Sequence, residues 1–387
     1  MGTQDGIQSC RTVVCEAPVN IAVIKYWGKK NEDLVIPLND SISVTLDTEH
    51  LRARTIVSLD PTSDGVQFSL NGKEETPSKR FMKVIALCKS EALRQGSIRE
   101  NDTTLGLRIV SDNNFPTAAG LASSAAGISC LASALKAVYD IQGDISGIVR
   151  QGSGSACRSV YGGFVRWHTG HAGDGSDSVA QQIRPASHWP ELRVLILVVN
   201  DKKKDVSSTS GMKESVDTSD LLRYRADFIA NARCEAMTAA ITDRNFEKFA
   251  ELTMRDSNQF HAICLDTYPP IMYLDDTSKA VINLIHAYNR KSGRILAAYS
   301  FDAGPNPFLF TLSENLQSLV ELLRLQFPSA NSSFLRGLTD FLLKSPENVE
   351  YGDILNPVSD SVQYIIVTKA GEGPKTSVNE VPMSPFC

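Results

Sequence analysis

The sequence has no apolar run long enough to cross a bilayer; its most apolar stretch, 192–199, is strand-sized and interrupted by Arg193. It has no basic excess either. Lys and Arg number 39 against 44 Asp and Glu, a formal charge of −5. That balance provides no global field to hold a nucleic acid. The eight cysteines (10, 15, 88, 130, 157, 234, 264 and 387) include no Cys-x-x-Cys pair. Their irregular spacing argues against a zinc or disulfide framework and for reduced thiols in apolar surroundings. Both a Gly-x-x-x-x-Gly-Lys-Ser/Thr loop and a Gly-x-Gly-x-x-Gly fingerprint are missing, so neither common nucleotide signature applies. Residues 1–11 lack the basic start and apolar middle of a signal peptide, and the tail is neither a prenylation box nor a clear peroxisomal address. The expectation is therefore a cytoplasmic protein that binds neither membrane nor nucleic acid.

What is present fits a folded protein. The 387 residues are 42% hydrophobic and 21% charged, enough for two domains and far from a disordered composition. Alternating apolar residues predict strands over 12–16, 41–48, 105–111 and 161–168, with an Asn71-Gly72 turn signal and a helix over 79–95. The prolines Pro185 and Pro190 mark a boundary in 184–191. Beyond it, 192–200 reads as a buried strand. Leu221, Tyr224, Phe228, Ala232, Ala236 and Ala239 form the apolar stripe of a helix over 221–243, with Ser219 or Asp220 as its cap. Helices over 245–260, 278–290 and 314–327 and strands over 294–301, 308–312 and 364–369 follow, with Gly293 as a helix stop. The fold class is α+β with mixed and antiparallel sheets, and the second half has split βαβ, ferredoxin-like character.

Four segments carry possible chemistry. Over 116–127 the run PTAAGLASSAAG follows a strand and opens a helix. Small side chains and a helix N-terminus suit a phosphate, with Ser123 and Ser124 offering hydroxyls; they equally suit tight helix packing. Lys25 and Lys29 flank Tyr26, Trp27 and Gly28, either as point charges beside an aromatic wall or as solvated lysines beside a half-buried Trp27. Over 151–158, glycines and serines precede Arg158, as an anion-cradling turn with a carboxylate grip or as a surface loop. Asp302 ends an apolar strand before a glycine turn, as a base or as a turn cap. His168 and His171 with Asp174 and Asp177 are too loosely spaced for a metal set and read as a turn. Asp275-Asp276 reads as a helix cap, Lys202 to Lys204 as a solvated loop, and 371–376 as a false nucleotide loop without a following helix.

Together and in this order, these segments resemble the mevalonate diphosphate decarboxylases of the galactokinase, homoserine kinase, mevalonate kinase and phosphomevalonate kinase superfamily. The strings KYWGK at 25–29, NNFP at 113–116, GSGSACR at 152–158, DSNQFH at 256–261, CLDTYPP at 264–270 and FDAGPN at 301–306 carry the resemblance, which runs over about 15–367. The resemblance implies a two-domain small-molecule kinase fold, 1–190 and 191–387, with the active site in the cleft between. It implies conversion of mevalonate 5-diphosphate and ATP, with Mg2+, to isopentenyl diphosphate, carbon dioxide, ADP and phosphate, in a homodimer. Asp302 would activate the tertiary hydroxyl, with Lys25 beside it. Arg158 would hold the carboxylate. Tyr26, Trp27, Gly28, Lys29, Arg80, Ser153, Gly154, Ser155, Ala156, Cys157 and Thr209 would form the substrate pocket. Asn113, Pro116, Ala119, Gly120, Leu121, Ala122, Ser123 and Ser124 would take the nucleotide, with Ser124 also catalytic. A kinase that stops at the phosphorylated product and a ligand-binding sensor without turnover are the competing readings; the presence of Arg158, Asp302 and the loop serines favours the decarboxylase.

Overall fold

In the computed structural model, which describes residues 9–115, 123–199, 205–338 and 353–382, the two ends of the chain meet in one sheet. The strand Ser9–Pro18 buries Val13, Cys15 and Ala17 and pairs antiparallel with Arg52–Asp60 on one side and Lys375–Pro382 on the other. Gly106–Asn113, Val66–Leu70 and Lys73–Glu74 complete six strands. The hairpin before the last turns on Asn71 and Gly72, both at positive φ, as the dipeptide signals. Helix α1 (Lys79–Gln95) has the predicted bounds because both ends are written locally. Ser78 Oγ accepts the Phe81 N–H, and Gly96 closes the helix in the left-handed region. Helices α2 (Ser123–Val138) and α3 (Ser146–Gly152) pack with α1, and α2 lies on the first sheet.

A second, antiparallel sheet holds Asn20–Ile24, Ser41–Thr45, Phe164–Trp167 and Ala180–Arg184. A third contains Ala297–Phe301, Pro307–Leu312, Leu192–Val198, Tyr364–Lys369 and Leu335–Gly337 in spatial order, antiparallel except for the last pair. Its central strand buries Leu192 and every residue from Val194 to Val198, the apolar run that marks it in the sequence. Each such side chain contributes about 1.5–3 kcal/mol on burial. After Tyr364–Lys369 the chain leaves this sheet, and Lys375–Pro382 joins that of the first half. Six cysteines, including Cys15, Cys130 and Cys157, are buried free thiols.

The helical region corrects one expectation. After α4 (Ser208–Thr218), the helix capped by Ser219 runs as α5 (Asp220–Tyr224), a π-helical turn (Arg225–Ile229) and α6 (Ala230–Thr242). The predicted stripe is not its buried face: Leu221, Tyr224 and Phe228 are 45%, 56% and 67% exposed. Instead Leu222, Arg225, Ala230, Cys234, Met237 and Ile241 point inward. The extra residue of the π turn shifts the helical register, and a buried arginine occupies the core side. α7 (Phe246–Asp266), α8 (Asp276–Ser292) and α9 (Leu316–Gln326) follow. Asp275 caps α8 by accepting the Ser278 N–H, and Gly293 ends it. The 168–177 segment is a turn in which Asp177 accepts the N–H groups of His171 and Ala172.

Candidate active site

Lys25 follows the strand Asn20–Ile24, and Asp302 follows the strand Ala297–Phe301. Though 277 positions apart, they meet as an ion pair with Lys25 Nζ 2.6 Å from Asp302 Oδ1. The lysine side chain is 3% exposed and the aspartate 31%, so the pair sits at the floor of a cavity with its carboxylate open to it. Burial pushes the Lys25 pKa down, against the pull of Asp302 and Asp256. Asp302 is thus paired with a cation, which separates it from an ordinary turn cap.

Arg158 lines the same cavity of about 720 Å3. It is buried, donating to Ser41 Oγ at 2.6 Å and Asn20 Oδ1 at 3.3 Å. It makes no ion pair with any described residue, and its Nε has no hydrogen-bond partner. Burial lowers its pKa as well. A buried cation without a counter-charge is costly unless a ligand completes it. Ser153, Gly154 and Ser155 line the cavity beside it, whereas Ala156 and Cys157 turn away into the core, Cys157 against Val165, Trp167 and Ala180. Gly154 is required by packing, since a Cβ there would lie 2.8 Å from the Tyr26 ring. The Tyr26 hydroxyl is buried without a hydrogen-bond partner, and the residue lines this cavity.

Trp27 contributes to the wall but is mostly embedded between Phe260 and Tyr273, its Nε1 donating to Ser215. Gly28 is not a lining residue; its φ of +86° and the 2.6 Å from a Cβ to Leu38 make it the turn that delivers Lys29. Lys29 pairs with Glu32 at 2.5 Å, and Arg80 donates to Thr209 at 3.1 Å. Of the nucleotide residues, Pro116, Ala119, Gly120, Leu121 and Ala122 lie outside the described residues, and Ser123 begins α2. Ser124 is exposed and lines the cavity. Asn113 lines a different cavity, with Asn71, Asn114 and Tyr364.

Sequence reasoning missed Lys79, Lys83 and Phe260 as lining residues. The first two lie on α1, one turn apart, a periodicity that could have linked them to Arg80. In an acidic chain, this cavity gathers six lysine and arginine side chains against three carboxylates among the described residues. Such a local excess focuses attraction on a polyanion.

Known proteins match this chain along nearly its whole length. Residues 17–180 match the diphosphomevalonate decarboxylase-like N-terminal domain, and 194–377 match the mevalonate 5-diphosphate decarboxylase C-terminal domain. The diphosphomevalonate decarboxylase of Danio rerio is 48% identical over 95% of this chain and 94% of its own. The mevalonate diphosphate decarboxylase structure from Trypanosoma brucei superposes with a TM-score of 0.88 at 38% identity, covering 97% of this chain and 98% of that one. The structure of MDDEF in complex with MVAPP, AMPPCP and magnesium superposes with a TM-score of 0.73 at 30% identity, covering 96% and 99%. The chain belongs to the diphosphomevalonate decarboxylase family.

Proposed function

We propose that the cleft joining Lys25, Asp302 and Arg158 is where this chain, an ATP-dependent decarboxylase by its family, turns mevalonate 5-diphosphate into isopentenyl diphosphate, carbon dioxide, ADP and phosphate. The observation that carries the reading is the ion pair of a buried Lys25 with a half-buried Asp302, opening onto a cationic cavity. Asp302 accepts a hydrogen bond from the tertiary hydroxyl and orients its oxygen toward the γ-phosphate; Lys25 holds that carboxylate and faces the transferring charge. Arg158 receives the substrate carboxylate with two donors. Tyr26, Lys29, Arg80, Ser153, Ser155 and Thr209 receive the diphosphate, and Asn113, Pro116, Ala119, Gly120, Leu121, Ala122, Ser123 and Ser124 receive the nucleotide.

The residue types suit the chemistry. Hydroxide is a poor leaving group from a tertiary carbon; phosphate is a better one. Its departure leaves positive charge on that carbon, and the electron pair of the adjacent C–C bond closes the double bond as carbon dioxide leaves. Phosphoryl transfer needs positioning and charge neutralisation more than covalent help from the protein. Magnesium neutralises phosphate charge when bound. It takes oxygen ligands, mostly from the phosphates themselves, so the exposed Ser124 hydroxyl at the cavity edge fits as its protein contact. Two domains meeting near residue 190 and a homodimer belong to this reading and rest on the family resemblance; a cytoplasmic setting belongs to it on the sequence signals alone.

The test is a product assay on the parent and Asp302→Asn. The parent should release ADP and carbon dioxide in equal amounts. The variant should lose about 10²–10⁴-fold in kcat with little change in substrate binding. ADP without carbon dioxide from the parent, or near-normal turnover by the variant, refutes the assignment.

A further inference from the structure

Lys25 and Asp302 follow strands of two different sheets, with no main-chain ladder joining Asn20–Ile24 to Ala297–Phe301. Something other than sheet pairing must fix their separation. A single turn of α7 holds both.

Asp256 in α7 is fully buried, and its Oδ1 accepts the main-chain N–H of Lys25 at 2.7 Å. Arg225, from the π-helical turn, grips that carboxylate with both terminal nitrogens, at 2.8 and 2.9 Å. The same Arg225 also donates to the Lys25 carbonyl at 3.1 Å. One buried ion pair therefore takes both main-chain polar groups of Lys25. Arg233 adds a third contact to Asp256 at 3.0 Å. The next residue on α7, Ser257, accepts the N–H of Phe301 through its Oγ at 3.0 Å. Phe301 immediately precedes Asp302. One turn further on, the His261 ring meets the Phe301 ring edge-on. Ser300 Oγ donates to the Ala22 carbonyl at 3.1 Å, tying the two strands directly.

We infer that the Asp256-Ser257 dipeptide of α7, braced by Arg225, is a positioning element that sets the distance between Lys25 and Asp302. A buried ion pair gains little over apolar packing as a source of stability. This one spends its donors and acceptors on the backbone of a single residue of the site. An error of about 1 Å in such a placement costs on the order of 10²-fold in rate. Asp256 also adds negative charge behind Lys25, helping the buried ammonium keep its proton. The inference rests on Lys25 and Asp302 being the reacting pair.

The test compares Ser257→Ala, Asp256→Asn and Asp302→Asn in one assay. Ser257→Ala removes only the acceptor for the Phe301 N–H and leaves the ion pair intact. It should lower kcat by more than roughly fivefold while KM for ATP and for the diphosphate acid stays within about threefold, with the unfolding midpoint close to the parent's. Asp256→Asn, where it folds, should move the alkaline limb of kcat to lower pH, because Lys25 loses a neighbouring negative charge and keeps only Asp302 against the cations of Arg158, Arg225 and Arg233. The inference is overturned by a smaller kcat loss in Ser257→Ala, or by KM rising in proportion as it would on general loosening. An alkaline limb that stays in place in folded Asp256→Asn overturns the share assigned to Asp256. Asp302→Asn separates the two levels. If it is inactive while Ser257→Ala is normal, positioning alone fails; if it turns over normally, the reading of the pair itself fails.

Discussion

Replacing Arg158 with lysine is the sharpest probe of the carboxylate site. The guanidinium is buried, held by Ser41 Oγ at 2.6 Å and Asn20 Oδ1 at 3.3 Å, and lacks a charged partner among the described residues. Lysine keeps the charge but not the planar fork, so it offers one contact where arginine offers two. A hydrogen bond to a charged group contributes about 1.5–3 kcal/mol. At about 1.36 kcal/mol per tenfold, kcat/KM for the diphosphate acid should fall about 10- to 150-fold. KM for ATP should hold. The assay measures ADP release with the acid varied, alongside calorimetric binding of two analogues, one with the carboxylate and one with an alcohol in its place. The carboxylate analogue should lose affinity by a smaller factor than kcat/KM falls, and the alcohol analogue should change by less than about twofold. Equal losses for both analogues, or no loss, would refute a carboxylate role and leave Arg158 as a structural residue.

Two further predictions concern the surroundings. His261 stays neutral in the fold: burial first, then the Lys25 charge, push its pKa down to about 3, with the Phe301 main chain and Asp302 opposing. Because the unfolded chain takes up that proton near pH 6.5, stability falls as pH drops from 6.5 toward 3, by about 2 kcal/mol at about pH 5. His261→Gln should remove that increment from the change in urea-unfolding free energy between about pH 7.5 and 5, and an unchanged difference would refute it. Gly154→Ala should force the Tyr26 ring aside, costing about 1–3 kcal/mol and raising KM for the diphosphate substrate, as thermal unfolding and steady-state kinetics would show.

Elements with local signals were legible in the sequence. Ser78 and Gly96 bracket α1, Asp275 and Gly293 bracket α8, and Asn71-Gly72 turns a hairpin. Elements whose limits depend on distant partners were not. The first strand reads as 12–16 but extends over Ser9–Pro18, because Lys375–Pro382 pairs along it from the other end of the chain. The stripe at Leu221, Tyr224 and Phe228 failed for a different reason. Pattern reading places arginine outside, and Arg225 goes inside because Asp256 compensates its charge. The site followed the same division. Each segment was visible, but no spacing shows that Asp302 meets a lysine from the beginning of the chain. Nor does any show that Ala156 and Cys157 turn away while Arg158 turns in.

The competing readings differ most in what happens at that arginine. A cation that binds carboxylate strengthens the ground state, and carbon dioxide leaves with no charge for it to hold. Binding substrate and transition state equally accelerates nothing, and binding the substrate better opposes the second step. Arg158 must therefore act by orientation, aligning the C–C bond with the position vacated by phosphate, and the observed geometry suits that limited role. Its donors are shared with Ser41 and Asn20, and burial disfavours its charge. The Arg158→Lys loss should accordingly extend to kcat and not stop at binding. Uncoupling should accompany it: once the carboxylate is misaligned, the phosphorylated acid persists and ADP outruns carbon dioxide. A variant whose two products still appear in equal amounts, however slowly, would show that the arginine binds the acid without steering its decarboxylation.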